Sequence, residues 1–339
     1  METKEEQLRI PSDQMKAEFF RILLRLGFTT ERAYKCAEIF TLNSLEGVYS
    51  HGVYRFARFV KSIREGLIRP EAVPSLVHRA GAIEQWNGNL GPGPLNAIFA
   101  TDRAMEVATE NSIGLVSLSN TNHWMRGGTY GWQAARKGFV LISWTNTCPN
   151  MPAWGAKDPR LGNNPLIIAV PYHNEAIVLD FAMSQFSYGK METFRNEGIK
   201  LPFAGGFNEE NKLTDDPDEI LKTLRPLPAG YWKGAGLALL LDILATVLSG
   251  GLSTHQINSC VSESNISQVF IAIQMKSLHN FPSISKSIDL IIDDLRNSVP
   301  ENENSIIRYP GENVVGIRNE NLKNGIPVSR EKWEKITKL

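Results

Sequence analysis

The chain has 339 residues, with 36 basic and 36 acidic side chains, 42% apolar content, 27 glycines, 18 prolines and three cysteines. At roughly 100–200 residues per domain, this length carries one large domain or two, each able to bury a core without staples, so small disulfide- or metal-held folds are excluded. A formal net charge of zero removes the long-range attraction on which nucleic-acid and anionic-membrane binders depend, and neither partner is expected.

The N-terminal stretch from Met1 to Arg9 is charged and lacks the apolar core of a secretory signal. Two helices are then expected. In the first, Ser12 caps a segment whose apolar positions run from Met15 to Leu26 at helical spacing, and Gly27 stops it. The second opens at Thr29 and Thr30, runs through Leu45 and ends at Gly47. Neither carries a basic face, which argues against DNA recognition.

The run GNLGPGP (88–94) reads as a loop, followed by a helix ending near Asn111. Strands are expected at 113–119, 139–145, 165–171, 176–182 and 268–275, all short, β-branched or aromatic, and bounded by turn residues. Several are apolar on both faces, the signature of strands inside a sheet covered by helices on both sides, so a layered α/β domain is expected at the centre. The polar stretch 207–219 reads as exposed, and RPLPAGYWKGAG (225–236) as a turn.

The apolar run from Leu237 to Leu248, interrupted by Asp242, falls short of the roughly 20 residues that span a bilayer and reads as a buried helix. Ile284, Ile288, Ile291, Ile292, Leu295 and Val299 form an amphipathic stripe stopped by Pro300, and Ser329 caps a last helix with Trp333 and Ile336. Cys36, Cys148 and Cys260 are odd in number, far apart and without C-x-x-C spacing, which fits a reducing cytoplasm.

Neither G-x-G-x-x-G nor the P-loop pattern occurs; Gly234-Ala235-Gly236 lacks the third glycine and follows a turn, so a Rossmann dinucleotide site is disfavoured. Of six histidines, His78, His173, His255 and His279 sit in ordinary polar contexts and read as surface residues. His51 lies in YSHGVYR, four residues before Arg55, and the two share a face if the segment is helical. Arginine grips a carboxylate in bidentate fashion, while histidine exchanges a proton with a ketone or hydroxyl at neutral pH, a pairing suited to a 2-keto or 2-hydroxy acid. The competing interpretation is a surface histidine beside an ordinary salt bridge.

His123 lies in SNTNHWMRGGTYGW, just after an expected strand, with Gly127 and Gly128 placed to let a ligand meet the backbone. A metal is not expected: no H-E-x-x-H or H-x-x-E-H pattern occurs, and Asp180 is the one obvious third ligand. Lys233 and Trp232 stand at an expected helix start, where unpaired N–H groups and a lysine attract a phosphate and an indole can stack on a base.

As a set, the segments YSHGVYRF, GAIEQWNGN, NTNHWMRGGTYGWQAARKGF, MPAWGAKDPRLGNNPLIIAVP, DFAMSQFSYGK and LPAGYWKGAGLALLLDILATVLSGG resemble the malate/L-lactate dehydrogenase family that lacks a Rossmann fold. The resemblance implies an α/β, non-Rossmann, mixed-sheet dehydrogenase fold with helical N- and C-terminal segments. It implies hydride transfer from NADH to the C2 ketone of a keto acid with a histidine as proton donor, in a cytoplasmic homodimer; NADP stays open because no ribose-reading acid is identifiable. Residues 1–118 with 300–339 would form the helical, substrate-binding and dimerisation unit, and 119–299 the NAD-binding α/β unit. His51 matches the family's proton donor, although His123 matches the residue holding that role in some relatives. Cofactor contacts carry over to Thr147, to Ala176, Ile177, Val178, Leu179, Asp180, Phe181 and Ala182, to Trp232 and Lys233, and to Gly311, Glu312 and Asn313. Where the family has G-T-N-P, this chain has Gly162-Asn163-Asn164-Pro165.

Overall fold

The computed structural model describes residues 7–257 and 263–339; Met1 to Glu6 and Cys260 lie outside the described residues. In chain order, β1 (Gln7–Ile10) leads into α1 (Ser12–Arg25), α2 (Thr30–Leu45) and, after a 3-10 turn at Tyr49–His51, α3 (Val53–Arg64). Next come β2 (Ser75–Ala80), β3 (Ile83–Asn87), α4 (Gly93–Asn111), β4 (Ile113–Asn122), α5 (Gly128–Ala135) and β5 (Phe139–Thr145). Two short strands, β6 (Met151–Pro152) and β7 (Pro159–Leu161), precede β8 (Leu166–Tyr172) and β9 (Glu175–Phe181). The chain continues through α6 (Tyr188–Asn196), β10 (Gly206–Phe207), β11 (Leu213–Thr214), α7 (Pro217–Thr223), α8 (Trp232–Ser249) and β12 (Ser264–Gln274). It closes with α9 (Phe281–Arg296), α10 (Glu312–Asn324), β13 (Ile326–Ser329) and α11 (Arg330–Thr337).

Seven strands form one sheet in the order β2-β3-β4-β12-β5-β8-β9. The β3–β4 pair is parallel and the rest are antiparallel, which makes the expected mixed sheet. Alternation along each strand sorts side chains to two faces. On one face Val116, Leu118, Leu141, Ile167, Ala169, Phe270 and Ala272 pack against α4 and α5; on the other, Trp144 and Val269 meet α8. The α4 stripe Ala97, Ala100, Ala104 and Ala108 is small because the helix lies close on the sheet: a Cβ on Gly114 of β4 would stand 2.3 Å from the Ala104 carbonyl oxygen.

A second core joins the two chain ends. The β1 and β13 strands pair antiparallel, and α1, α2, α3 and α11 bury Phe19, Phe40, Phe56, Phe59 and Trp333 together. Phe56 stacks on Phe19 with centroids 4.1 Å apart. Each such fully buried aromatic contributes about 1.5–3 kcal/mol, and this anchoring fixes the flank of α3 that carries Arg55. The sheet draws β2 and β3 from before residue 118, and β4 runs across it.

Several sequence expectations need correction. Ser12 is the first residue of α1, not its cap; Pro11 occupies the cap position, and no side chain caps the helix. Thr29 and Ser329 do cap α2 and α11, each accepting a backbone N–H. The α8 helix is not buried: Leu240 is 55% and Val247 68% exposed, because one side only meets the sheet. Within the predicted stripe Ile292 is buried, whereas Ile291 and Val299 are open. Cys148 is disulfide-bonded, against the expectation of unpaired thiols, since separation along the chain says nothing of proximity in the fold.

Length and apolarity alone would let α8 cross a membrane. Its Asp242 carboxylate, however, accepts from Asn146 Nδ2 at 3.0 Å and from the Thr254 amide at 2.8 Å, tying the helix to β5 and to the turn that follows it.

Candidate active site

Two imidazoles converge where the terminal core meets the sheet. His51 ends the 3-10 turn after α2, and His123 follows β4; their rings stack with centroids 5.7 Å apart. Glycines make both placements possible. A Cβ on Gly52 would lie 2.2 Å from Ser44 Oγ, and one on Gly93 would lie 2.2 Å from the His123 carbonyl oxygen, so the backbone passes too close for any other residue. Gly52 also breaks the helix, so His51 and Arg55 do not share one helical face; they approach because a turn and a helix meet at that glycine.

The two rings have different hydrogen-bond constraints. His123 Nδ1 lies 3.0 Å from the Met125 amide nitrogen. An amide can only donate, so Nδ1 accepts and the neutral ring carries its proton on Nε2. His51 Nδ1 faces Ser50 Oγ at 2.9 Å, a hydroxyl that either donates or accepts, so His51 tolerates both neutral and charged forms.

Burial, reinforced by Arg55 and Arg126, holds His51 down at about 3. Burial also holds His123 well below its ordinary value, with help from Arg55, His51 and Arg58. Both rings are therefore neutral at pH 7 in the free chain. A histidine that acts as proton donor here therefore acquires its proton only once substrate binds, because burial first and the positive neighbours second disfavour the charged ring.

Arg55 lies at the same cavity as His123, together with Arg58, Ser62 and Glu263. Burial and Arg58 pull Arg55 down to about 10, against the opposing pull of Glu263 and Glu192, and it stays charged at neutral pH. Arg58, Glu263, Ser50 and Arg126 escaped the sequence reading. Arg58 alone left a signal there, standing three residues beyond Arg55 on one helix face.

Arg126 is buried and pairs with Glu46, which also accepts from Arg318 at 2.7 Å. One carboxylate thus joins the end of α2, the loop after β4 and α10. Arg126 also approaches Asp180 at 3.9 Å, and Asp180 accepts from the Gly128 amide at 2.8 Å. Burial raises the Asp180 pKa, opposed by Arg126 and that amide. Gly127 and Gly128 therefore serve packing and not ligand access: Cβ atoms there would meet Ile167 Cδ1 at 2.3 Å and Asp180 Oδ2 at 2.9 Å.

The residues matched to cofactor contacts fall into two groups. Ala176 and Val178 of β9 point into the core under α5, whereas Phe181 turns toward α8. The Val178 amide donates to the Pro310 carbonyl at 3.0 Å. That contact sets Gly311, in left-handed backbone at φ 88°, against the strand edge. Glu312 starts α10 and accepts from Arg296 at 2.7 Å and from the Tyr309 amide at 3.2 Å, with Asn313 one residue on.

The second group lies beyond the far end of β9. Thr147 Oγ1 donates toward Asn163 Oδ1 at 3.2 Å and Asn164 Oδ1 at 3.1 Å, so the unusual asparagine takes the Thr147 contact with its amide oxygen. The Met183 amide, just after Ala182, donates to the Asn163 carbonyl, and Ala229 donates to the Met183 carbonyl, both at 2.8 Å. This ladder leads to the start of α8, where Trp232 is 63% exposed, Lys233 is exposed and no side chain caps the first turn. Ser184 Oγ, beside the ladder, is buried without a hydrogen-bond partner. An uncapped helix start, an open lysine and indole, and an unsatisfied hydroxyl fit a phosphate-bearing aromatic cofactor. Among the described residues, no group of three or more His, Cys, Asp or Glu side chains is placed to hold a metal.

Comparison with known proteins agrees over the whole chain. The malate/L-lactate dehydrogenase family model matches residues 10–337. The chain is 45% identical over 333 residues to 2,3-diketo-L-gulonate reductase of Escherichia coli K12, covering 98% of this chain and 100% of the relative. Malate dehydrogenase from Pyrococcus horikoshii OT3 superposes with a TM-score of 0.89 at 27% identity, covering 99% of this chain and 97% of that one. Malate dehydrogenase from Entamoeba histolytica reaches a TM-score of 0.92 at 24% identity over 98% and 97% of the two chains, a likeness of fold.

Proposed function

The chain belongs to the malate/L-lactate dehydrogenase family and is an oxidoreductase, and from that premise we propose that it reduces 2,3-diketo-L-gulonate to 3-keto-L-gulonate with NADH. The observation that carries this reading is the stacking of His51 on His123, centroids 5.7 Å apart, with His123 and Arg55 lining one cavity. The substrate follows from the full-length similarity to the Escherichia coli reductase.

NADH, when bound, supplies the hydride for the C2 ketone. Arg55 grips the substrate carboxylate with its planar fork. His123, fixed as the Nε2–H tautomer by the Met125 amide, donates a hydrogen bond to the keto oxygen. Burial, reinforced by Arg55 and Arg126, keeps His51 neutral in the free enzyme; a bound carboxylate offsets the Arg55 charge and shifts His51 upward, toward taking up the proton it donates. Ser50 Oγ accepts from Nδ1–H of the charged ring, and Nε2–H passes its proton to the developing alkoxide.

Lys233 and the first turn of α8 hold the cofactor phosphates, Trp232 stacks on a ring, and Thr147, the β9 edge and Gly311 to Asn313 complete the seat. Residues 1–118 with 300–339 supply His51, Arg55 and the Gly311–Asn313 part of the cofactor seat, and residues 119–299 supply His123, Thr147, the β9 edge and α8. The enzyme is a homodimer. The open apolar face of α8, including Leu240, Leu244 and Val247, supports burial against a second copy.

Loss of NADH absorbance with purified protein tests the proposal. Turnover is expected to be fastest with 2,3-diketo-L-gulonate and slower with pyruvate, oxaloacetate or a cyclic imino acid. Consumption of neither NADH nor NADPH with any of these acids would contradict it.

A further inference from the structure

The cavity beside His123 carries more charge than a single carboxylate needs. Arg55 and Arg58 stand three residues apart on α3, and both line it, with Ser62 one turn further along. Opposite them Glu263, just ahead of β12, enters the same lining. Its Oε1 accepts from the Cys148 amide at 3.1 Å, next to Thr147, so the carboxylate is anchored from the cofactor side. Glu192 also acts on Arg55, but from an exposed position on α6 outside the cavity wall. With His123 neutral, the two guanidiniums and one carboxylate among the described lining residues sum to one net positive charge.

We propose that Glu263 is a specificity-determining residue that admits keto acids with one carboxylate and several hydroxyls and rejects those with a second carboxylate. The inference rests on the keto-acid reading above. A monoanion neutralises the wall, and its hydroxyls find acceptors in Glu263 and in Ser62 Oγ, whose own proton goes to the Arg58 carbonyl at 3.2 Å. The second carboxylate of a dicarboxylate would instead meet Glu263, an unfavourable like-charge contact.

Glu263→Gln tests this, because glutamine keeps an oxygen for the Cys148 amide and removes the charge. The readout is the ratio of kcat/KM for oxaloacetate to that for 2,3-diketo-L-gulonate, together with the affinities of the folded protein for L-malate and L-lactate. The variant is expected to raise the oxaloacetate ratio roughly tenfold, equivalent to about 1.4 kcal/mol. It is also expected to tighten L-malate relative to L-lactate. Adding Arg58→Gln restores the charge balance and should reverse the gain.

A folded Glu263→Gln variant whose ratios stay within about twofold of the parent would overturn the inference. Should that variant fail to fold, Arg58→Gln alone decides: stronger discrimination against L-malate supports the inference, and unchanged discrimination overturns it. If the parent turns over no keto acid yet Glu263→Gln still gains L-malate affinity, the reaction reading fails while the charge selector stands.

Discussion

The wall that carries the imidazoles and the wall matched to the cofactor are built by opposite means. His51, His123 and Arg55 stand on segments pinned by a buried aromatic cluster, by glycines with no room for a Cβ and by the Glu46–Arg126 pair. The cofactor wall is a strand edge, a left-handed glycine and an open helix start with an exposed tryptophan and lysine. The first wall fixes groups before anything binds, as proton transfer demands, because a displacement of 1 Å can lower a rate about 100-fold. The second is mostly backbone and open side chains, suited to a ligand that arrives and leaves.

Substitutions on each wall test that contrast. The largest effect belongs to His51→Asn, which should lower kcat by about 10²–10⁴-fold while leaving NADH affinity unchanged in a binding titration. A matching loss of NADH affinity would dissolve the distinction. Glu46→Leu should follow in severity. Stranding Arg126, buried, and Arg318, half-buried, costs about 3–5 kcal/mol in urea unfolding, and an unchanged midpoint would show that the pair does not hold the first wall.

Gly128→Ala drives a methyl toward Asp180 Oδ2, 2.9 Å away, and should lower stability by about 1–3 kcal/mol. Lys233→Gln, on the open wall, should weaken NADH by roughly five- to tenfold, about 1–1.4 kcal/mol. It should leave kcat at saturating cofactor and the melting temperature unchanged; a loss of stability there would contradict the open-wall description.

The pH dependence of stability gives a smaller, signed test. His51 falls from an ordinary 6.5 to about 3 on folding, so the unfolded chain binds more protons between those values. Its contribution is complete above 6.5 and is lost as pH falls toward 3. His51→Asn should flatten that decline, and an unaltered slope would remove His51 from the buried cluster.

Strands and helices with strong local patterns were legible in the chain: β5 begins at Phe139 and ends at Thr145, and α2 is capped by Thr29, as the pattern predicts. The short β6, β7, β10 and β11 strands left no readable period because two or three residues do not make one. The exposure of α8 was hidden because apolarity marks a face to be covered without saying by what. At the site, His51, His123 and Arg55 stood out by residue type. Ser50, Glu263, Arg126 and the Met125 amide did not, since their parts depend on contacts between segments remote in sequence or on a single backbone N–H. The glycines at 127 and 128 were visible but read the wrong way, because a glycine records close approach and not what approaches.

The central claim is a pair of neutral imidazoles of which one has a fixed tautomer, and nitrogen-15 NMR of histidine-labelled protein reads it directly. At pH 7 in the free enzyme, His123 should show a protonated Nε2 and a bare Nδ1, and neither His51 nor His123 should titrate near 6.5. A proton on His123 Nδ1, or either ring titrating near its ordinary value, would contradict the account.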